Sequence, residues 1–255
     1  MSDTHDSQSG LNWRVKSAEE IAYRSLCLVA ITYRATVEAT LLEEPGEKRV
    51  LADYNRRLRA WLKDEGVEPH LSPDEAQLLT TLLGKLTKDV VFGMSWRLQS
   101  LVVLFWAVGK LATMPTYTRS TTADEVQDQF PIMKPVRPFV IASRLRTELE
   151  LQRERHRAEF WNWRARTELL RRQGLPLPRG DSFEVAVARA LKAALREKLI
   201  TPTDLRDDDL ACGGVPYRDL PDAAFSDVMS TALERHYAMN WVCRDPDWDH
   251  VSTDT

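Results

Sequence analysis

The stretch RHYAMNWVCRDPDWDHVSTDT, residues 235–255, gathers two His, two Trp, one Cys and four Asp. Imidazole and carboxylate are the donors of mixed N/O metal sites. If Pro246 turned the chain back, His236, Asp247, Asp249 and His250 would supply four ligands, the basis for a metal-assisted hydrolase. No tight spacing of the HExxH or HxxxD kind supports that set. The competing reading starts from helical periodicity, which puts His236 and Asn240 one turn apart on a face shared with Phe225, Met229, Ala232 and Cys243. A polar pair on an apolar face must find hydrogen-bond partners, so these two are expected inside the fold, fixing helix register. Cys243 has only Arg244 nearby to favour a thiolate. The chain has no GxSxG and no Gly-rich phosphate loop, so no catalytic residue and no cofactor are assigned.

A second constellation lies upstream. From Lys134 to Arg172 there are eleven Lys/Arg against five Asp/Glu, a balance of +6, whereas the whole chain is −3. Arg153, Arg157, Trp161, Arg164 and Arg171 could hold nucleic acid through phosphate contacts and stacking. A pI near 6.0 works against that reading. Residues 203–255 carry four Arg and twelve Asp/Glu. The basic segment is therefore expected to be neutralised by the acidic C-terminal third and by Arg–Glu pairs four residues apart. The binding candidates are Arg157, Trp161, Trp163, Arg164, His236, Asn240 and Trp241, since Trp and Arg are enriched where proteins recognise one another.

The elements that must position these residues read as helices. Ser17-Ala18-Glu19-Glu20 is a capping box opening a helix to Glu44, stopped by Pro45-Gly46. A second helix keeps its spacing through Val50, Leu51, Tyr54, Leu58, Trp61 and Leu62, with Gly66 as C-cap. Ser72-Pro73-Asp74-Glu75 opens a third. GMSWRLQSLVVLFWAVGKLATMP is apolar nearly all round, as a central buried helix would be, ending before Pro115. Residues 115–138 form a proline-punctuated connection between two helical halves, with a short helical piece at Asp124–Phe130. A long helix is expected over Phe139–Gln173. On it positions 141, 145, 149, 152, 156, 160, 163, 167 and 170 form one stripe, apolar at both ends. Asp181 and Glu184 cap a further helix bearing Val187, Leu191 and Leu195, and the last helix runs from Pro221 to Cys243. Cys212-Gly213-Gly214 reads as a turn. The fold class is all-α, a multi-helix packed domain over 17–255 with a disordered tail at 1–16 and an anchored C-terminal tail. Trp248 is expected to dock on the basic helix.

Composition agrees with a globular chain: 255 residues, 43% hydrophobic and 29% charged. Three cysteines without CxxC spacing point to a reducing compartment. SLCLVAITY, flanked by charges, does not resemble a signal peptide, and the longest uncharged interior run, LQSLVVLFWAVG, is short for a bilayer span. A cytoplasmic location without membrane association is expected.

Four segments in this order (Trp96-Arg97 with VLFWAVGKL, then EFWNWRART, ERHYAMNWV and DWDHVSTDT) resemble the bacterial family called domain of unknown function 4272. The resemblance runs from about Glu19 to the C-terminus. It carries no activity to any residue, and implies that these motifs belong to one domain. Together these features suggest a non-enzymatic protein-binding role, of an adaptor or immunity type, with another protein as partner.

Overall fold

The computed structural model describes residues 14–178, 180–244 and 246–254. Among them are eight α-helices and one small sheet, an all-α architecture. Most of the expected tail at 1–16 lies outside the described residues. Arg14–Lys16 has no regular secondary structure, and the Lys16 N–H donates to Val242 O at 2.9 Å.

The capping boxes form where the sequence places them. Ser17 opens α1 (Ala18–Glu43) and Ser72 opens α3 (Pro73–Thr80), each with the Glu three residues on returning to the cap N–H. Between them α2 (Lys48–Asp64) ends into Gly66, whose φ of 69° suits a residue without Cβ. The central helix α4 (Lys88–Ala107) buries Leu101 to Ala107 without a break. It stops earlier than the run to Pro115 suggests, because Gly109 takes a φ of 74° and turns the chain away.

That turn explains the largest departure from expectation. The helix expected over Phe139–Gln173 is two elements, α5 (Arg137–Ile141) and α6 (Glu148–Arg172). Between them the Arg144 and Arg146 N–H groups donate to Val108 O and Ala107 O, both at 3.0 Å. The Arg146 guanidinium adds bonds to the carbonyls of Trp106, Leu111 and Ala112. The open carbonyls at the end of α4 are thus satisfied by a segment that cannot itself be helical. Thr147 and Glu150 then start α6 with a capping box. A Cβ at position 109 would meet Arg144 O at 3.3 Å in a backbone region costly for L-residues. Gly109→Ala is therefore expected to destabilise by about 1–2 kcal/mol, measured as a drop in thermal midpoint.

The remaining elements are α7 (Phe183–Arg196), capped by Ser182 rather than Asp181, and α8 (Asp222–Cys243). Between them runs a three-stranded antiparallel meander, β1 (Leu205–Arg206), β2 (Asp209–Cys212) and β3 (Val215–Pro216). Gly213 and Gly214 make its second turn, as expected for Cys212-Gly213-Gly214. The expected piece at Asp124–Phe130 is a pair of single 3-10 turns, Ala123–Glu125 and Gln127–Gln129.

In the packing, α4 lies against α1 on one side and α8 on the other, and α8 lies in turn against α6. The larger core joins α1, α4, α6 and α8 with the meander; a second gathers around α1, α2 and α3. By length and composition α1 and α4 could each cross a membrane, but in this fold most of each is buried.

Candidate functional site

The stripe read from the sequence on the basic helix coincides with its buried face only at Phe160 and Thr167. Ile141, Leu145 and Leu149 are exposed, the last by 75%. The face of α6 that enters the core carries Leu151, Glu154, Ala158, Trp161, Ala165 and Glu168. Charged residues on this inward face hide its period from a hydrophobicity pattern.

Near its C-terminal end that face holds a buried charge network. Arg164 grips Asp209 of β2 with two parallel bonds, Nε to Oδ1 at 2.9 Å and Nη2 to Oδ2 at 2.6 Å. This fork is the geometry that makes Arg–carboxylate recognition specific. Asp209 also accepts the N–H groups of Leu210 and Arg218, at 2.8 and 3.0 Å. Glu168 takes Arg171 at 2.6 Å and Arg172 at 2.9 Å. Arg171 continues to Arg218 O, and Arg218 to Asp207 O. The chain between Asp209 and Tyr217 is thereby tied to α6.

This network floors a groove of about 630 Å³ between α6, α7 and the first turn of the meander. The opposite wall is apolar: Phe183, Val187, Leu191 and Leu195 of α7, with Leu205 of β1. Both signs of charge stand at the mouth, with Arg171, Arg218 and Lys192 facing Glu184, Asp207 and Asp208. The two turn residues have left-handed backbones, Asp207 at φ 49° and Asp208 at φ 60°. A two-residue hairpin loop demands that conformation, which Asp tolerates better than most residues. On the other side of α7 a second groove, about 570 Å³, has Trp163, Leu170, Leu177 and Ala190 in its lining.

The residues singled out from sequence are distributed differently. Trp161, Arg164, His236, Asn240 and Trp241 are all buried. Trp161 stacks on Tyr117 with centroids 5.7 Å apart. Arg157 lies over the Tyr117 ring at 5.5 Å. Trp163, half-buried, stacks on Phe160 and opens onto the second groove. Of the binding candidates only Arg164 reaches the larger groove. The remaining arginines named for nucleic acid are engaged within the chain, Arg153 with Lys198 O and Arg171 with Glu168. Sequence reasoning missed Phe183, Arg218 and Asp207–Asp209 as groove residues. The periodicity of Val187, Leu191 and Leu195 was the available signal.

His236 sits between two amides, Asn162 Nδ2 at 3.1 Å from Nδ1 and Asn240 Nδ2 at 3.0 Å from Nε2. The same two Nδ2 groups donate to Thr253 O and Ser252 O of the tail, and a neutral imidazole accepts at only one of its two nitrogens. Asp249 turns elsewhere, accepting the Asp74 N–H at the start of α3. His236, Asp247, Asp249 and His250 are not brought together. Among the described residues no three His, Cys, Asp or Glu side chains are placed to hold a metal ion. Trp248 does not dock on α6. It packs against Tyr237 and Trp241, with Arg24 and Arg97 over its ring at 5.1 and 6.0 Å.

Burial, reinforced by Arg155, Arg244 and Arg166, pushes the His236 pKa from 6.5 down to about 4. Because the folded value lies below the unfolded one, the unfolded chain binds the extra proton between these limits. The contribution of His236 to stability is then flat above pH 6.5 and falls as pH drops towards 4, by roughly 3 kcal/mol in all. Urea denaturation between pH 7 and 4 should show this loss, and His236→Gln should flatten it.

No curated protein and no solved structure matches the chain. The match to a family begins at residue 7 and ends within α7, so ERHYAMNWV and DWDHVSTDT, which contribute to the resemblance, lie beyond it. It nevertheless covers well over half of the chain, and the protein belongs to the family described as Domain of unknown function (DUF4272), whose sequence model matches residues 7–191.

Proposed function

We propose that the protein acts by binding another protein, without catalysing a reaction, and that the larger groove beside α7 receives a segment of that partner. The observation that carries this reading is the pairing of an apolar wall with a mouth bearing both signs of charge. A partner segment with apolar side chains on one face and mixed charges on the other fits it, as an amphipathic helix fits a groove. The floor of the groove favours recognition over bond-making. Arg164, Glu168 and Asp209 are buried and engaged with one another, which leaves those carboxylates poorly placed to take a proton from a substrate.

A photo-crosslinking side chain at Lys192, compared with one at exposed Arg56 on α2, tests the assignment in native host cells. The expected result is one defined protein adduct from position 192, none from 56, and loss of the adduct on Arg218→Glu or Asp208→Arg. Absence of an adduct at 192, or equal adducts at both positions, would overturn it.

A further inference from the structure

Between the C-terminal part of α1 and the start of α4 lies another groove, of about 820 Å³, sharing no residue with those beside α7. Small side chains line it, Thr36, Ala39 and Thr40. At its edges stand two large apolar groups, Phe92, 63% exposed, and Leu42, 50% exposed. Phe92 is held edge-on by Trp96 four residues later, with centroids 6.0 Å apart and planes at 81°. An exposed aromatic whose ring is already oriented loses little freedom on docking, which favours it as an interface residue.

We propose that this face is a two-fold interface between two copies of the chain, the Phe92 ring of each entering the other's groove. Two features select a second copy. A contact about a two-fold axis needs one patch to carry both the projecting group and its recess, and this patch does. It also carries both signs of charge. Lys88, Asp89 and Glu43 all line it, and none of the three forms an ion pair among the described residues. A two-fold contact through the patch can set Lys88 of each copy against Glu43 of the other, two reciprocal ion pairs at the interface rim, with Asp89 left facing solvent. An anionic lipid surface would require the reverse balance, an apolar patch ringed by cations.

Sedimentation velocity on the full chain over a wide concentration range tests this. A reversible dimer is expected. Phe92→Asp, at a solvent-exposed position, should weaken it by ~30-fold or more, as for a central aromatic at an interface. Ala39→Trp, which fills the recess, should act in the same direction. Lys88→Glu and Glu43→Lys should each weaken self-association, and the two proteins mixed should form a heterodimer. That last result reads contact between chains alone. Far-UV circular dichroism confirms that each variant is folded. A monomer throughout, a dimer indifferent to these changes, or no heterodimer on mixing would overturn the proposal. So would a monomer that floats with phosphatidylcholine–phosphatidylglycerol vesicles and loses that property on Phe92→Asp.

Discussion

Asp209→Ala should lower the free energy of unfolding by about 3–5 kcal/mol, the range for leaving a buried charge without its partner. Asp209 and Arg164 are each almost fully inaccessible. The substitution removes both arms of the Arg164 fork and the acceptor shared by the Leu210 and Arg218 N–H groups. Glu168 offers little relief, because its contacts to Arg164 are long, 3.4 and 3.5 Å, and its oxygens already serve Arg171 and Arg172. Equilibrium urea unfolding followed by Trp fluorescence measures the effect. Replacing both ends together, Arg164→Met with Asp209→Leu, should cost far less, since no charge is then stranded. A loss under about 1 kcal/mol in the single variant would show that water reaches the network.

Trp161→Ala should be comparably severe, about 3–5 kcal/mol, as for large aromatic truncations in cores. Its ring is 1% exposed, lies parallel to Tyr117 and is tilted against Tyr217. Truncation empties the region where α6 meets the meander and the 115–122 connection. Trp163→Ala provides the contrast. Two residues on, half-buried and facing a groove, it should cost under about 2 kcal/mol. If the two variants unfold at the same denaturant midpoint, the division of α6 into a core face and a groove face is wrong. The comparison matters because both indoles attract attention equally in the sequence, where EFWNWRART gives no hint of which one is inside.

The parts of the fold visible in the sequence are those with a local cause. Ser17 and Ser72 announce their helices because a hydroxyl and a carboxylate three residues apart close reciprocal bonds. The run through LVVLFWA announces a buried helix because no polar face is left to meet solvent. What was hidden depends on distant residues. Nothing between Phe139 and Gln173 forbids one continuous helix, yet Arg144–Arg146 is taken by the end of α4. The Thr147-to-Glu150 capping box was available as a warning, but it sits inside a pattern that reads as helix on both sides. The inward face of α6 was misplaced because Glu154, Arg164 and Glu168 belong to the interior, each paired there. The groove between α6, α7 and the meander was barely legible, since its floor joins α6 to residues far along the chain, through strands of two and four residues. Of the candidate residues Arg164 belongs to it, in the role of a fixed support.

The position of α8 between α4 and α6 has a consequence for synthesis. Both neighbours precede it in the chain, so a ribosome delivers the apolar sides of α4 and α6 well before the helix that shields them exists. Over that interval the nascent polypeptide offers sticky surface to chaperones and proteases. A product released at residue 191 would keep that surface permanently, which makes cellular quality control, rather than any loss of recognition, the first thing such a fragment meets.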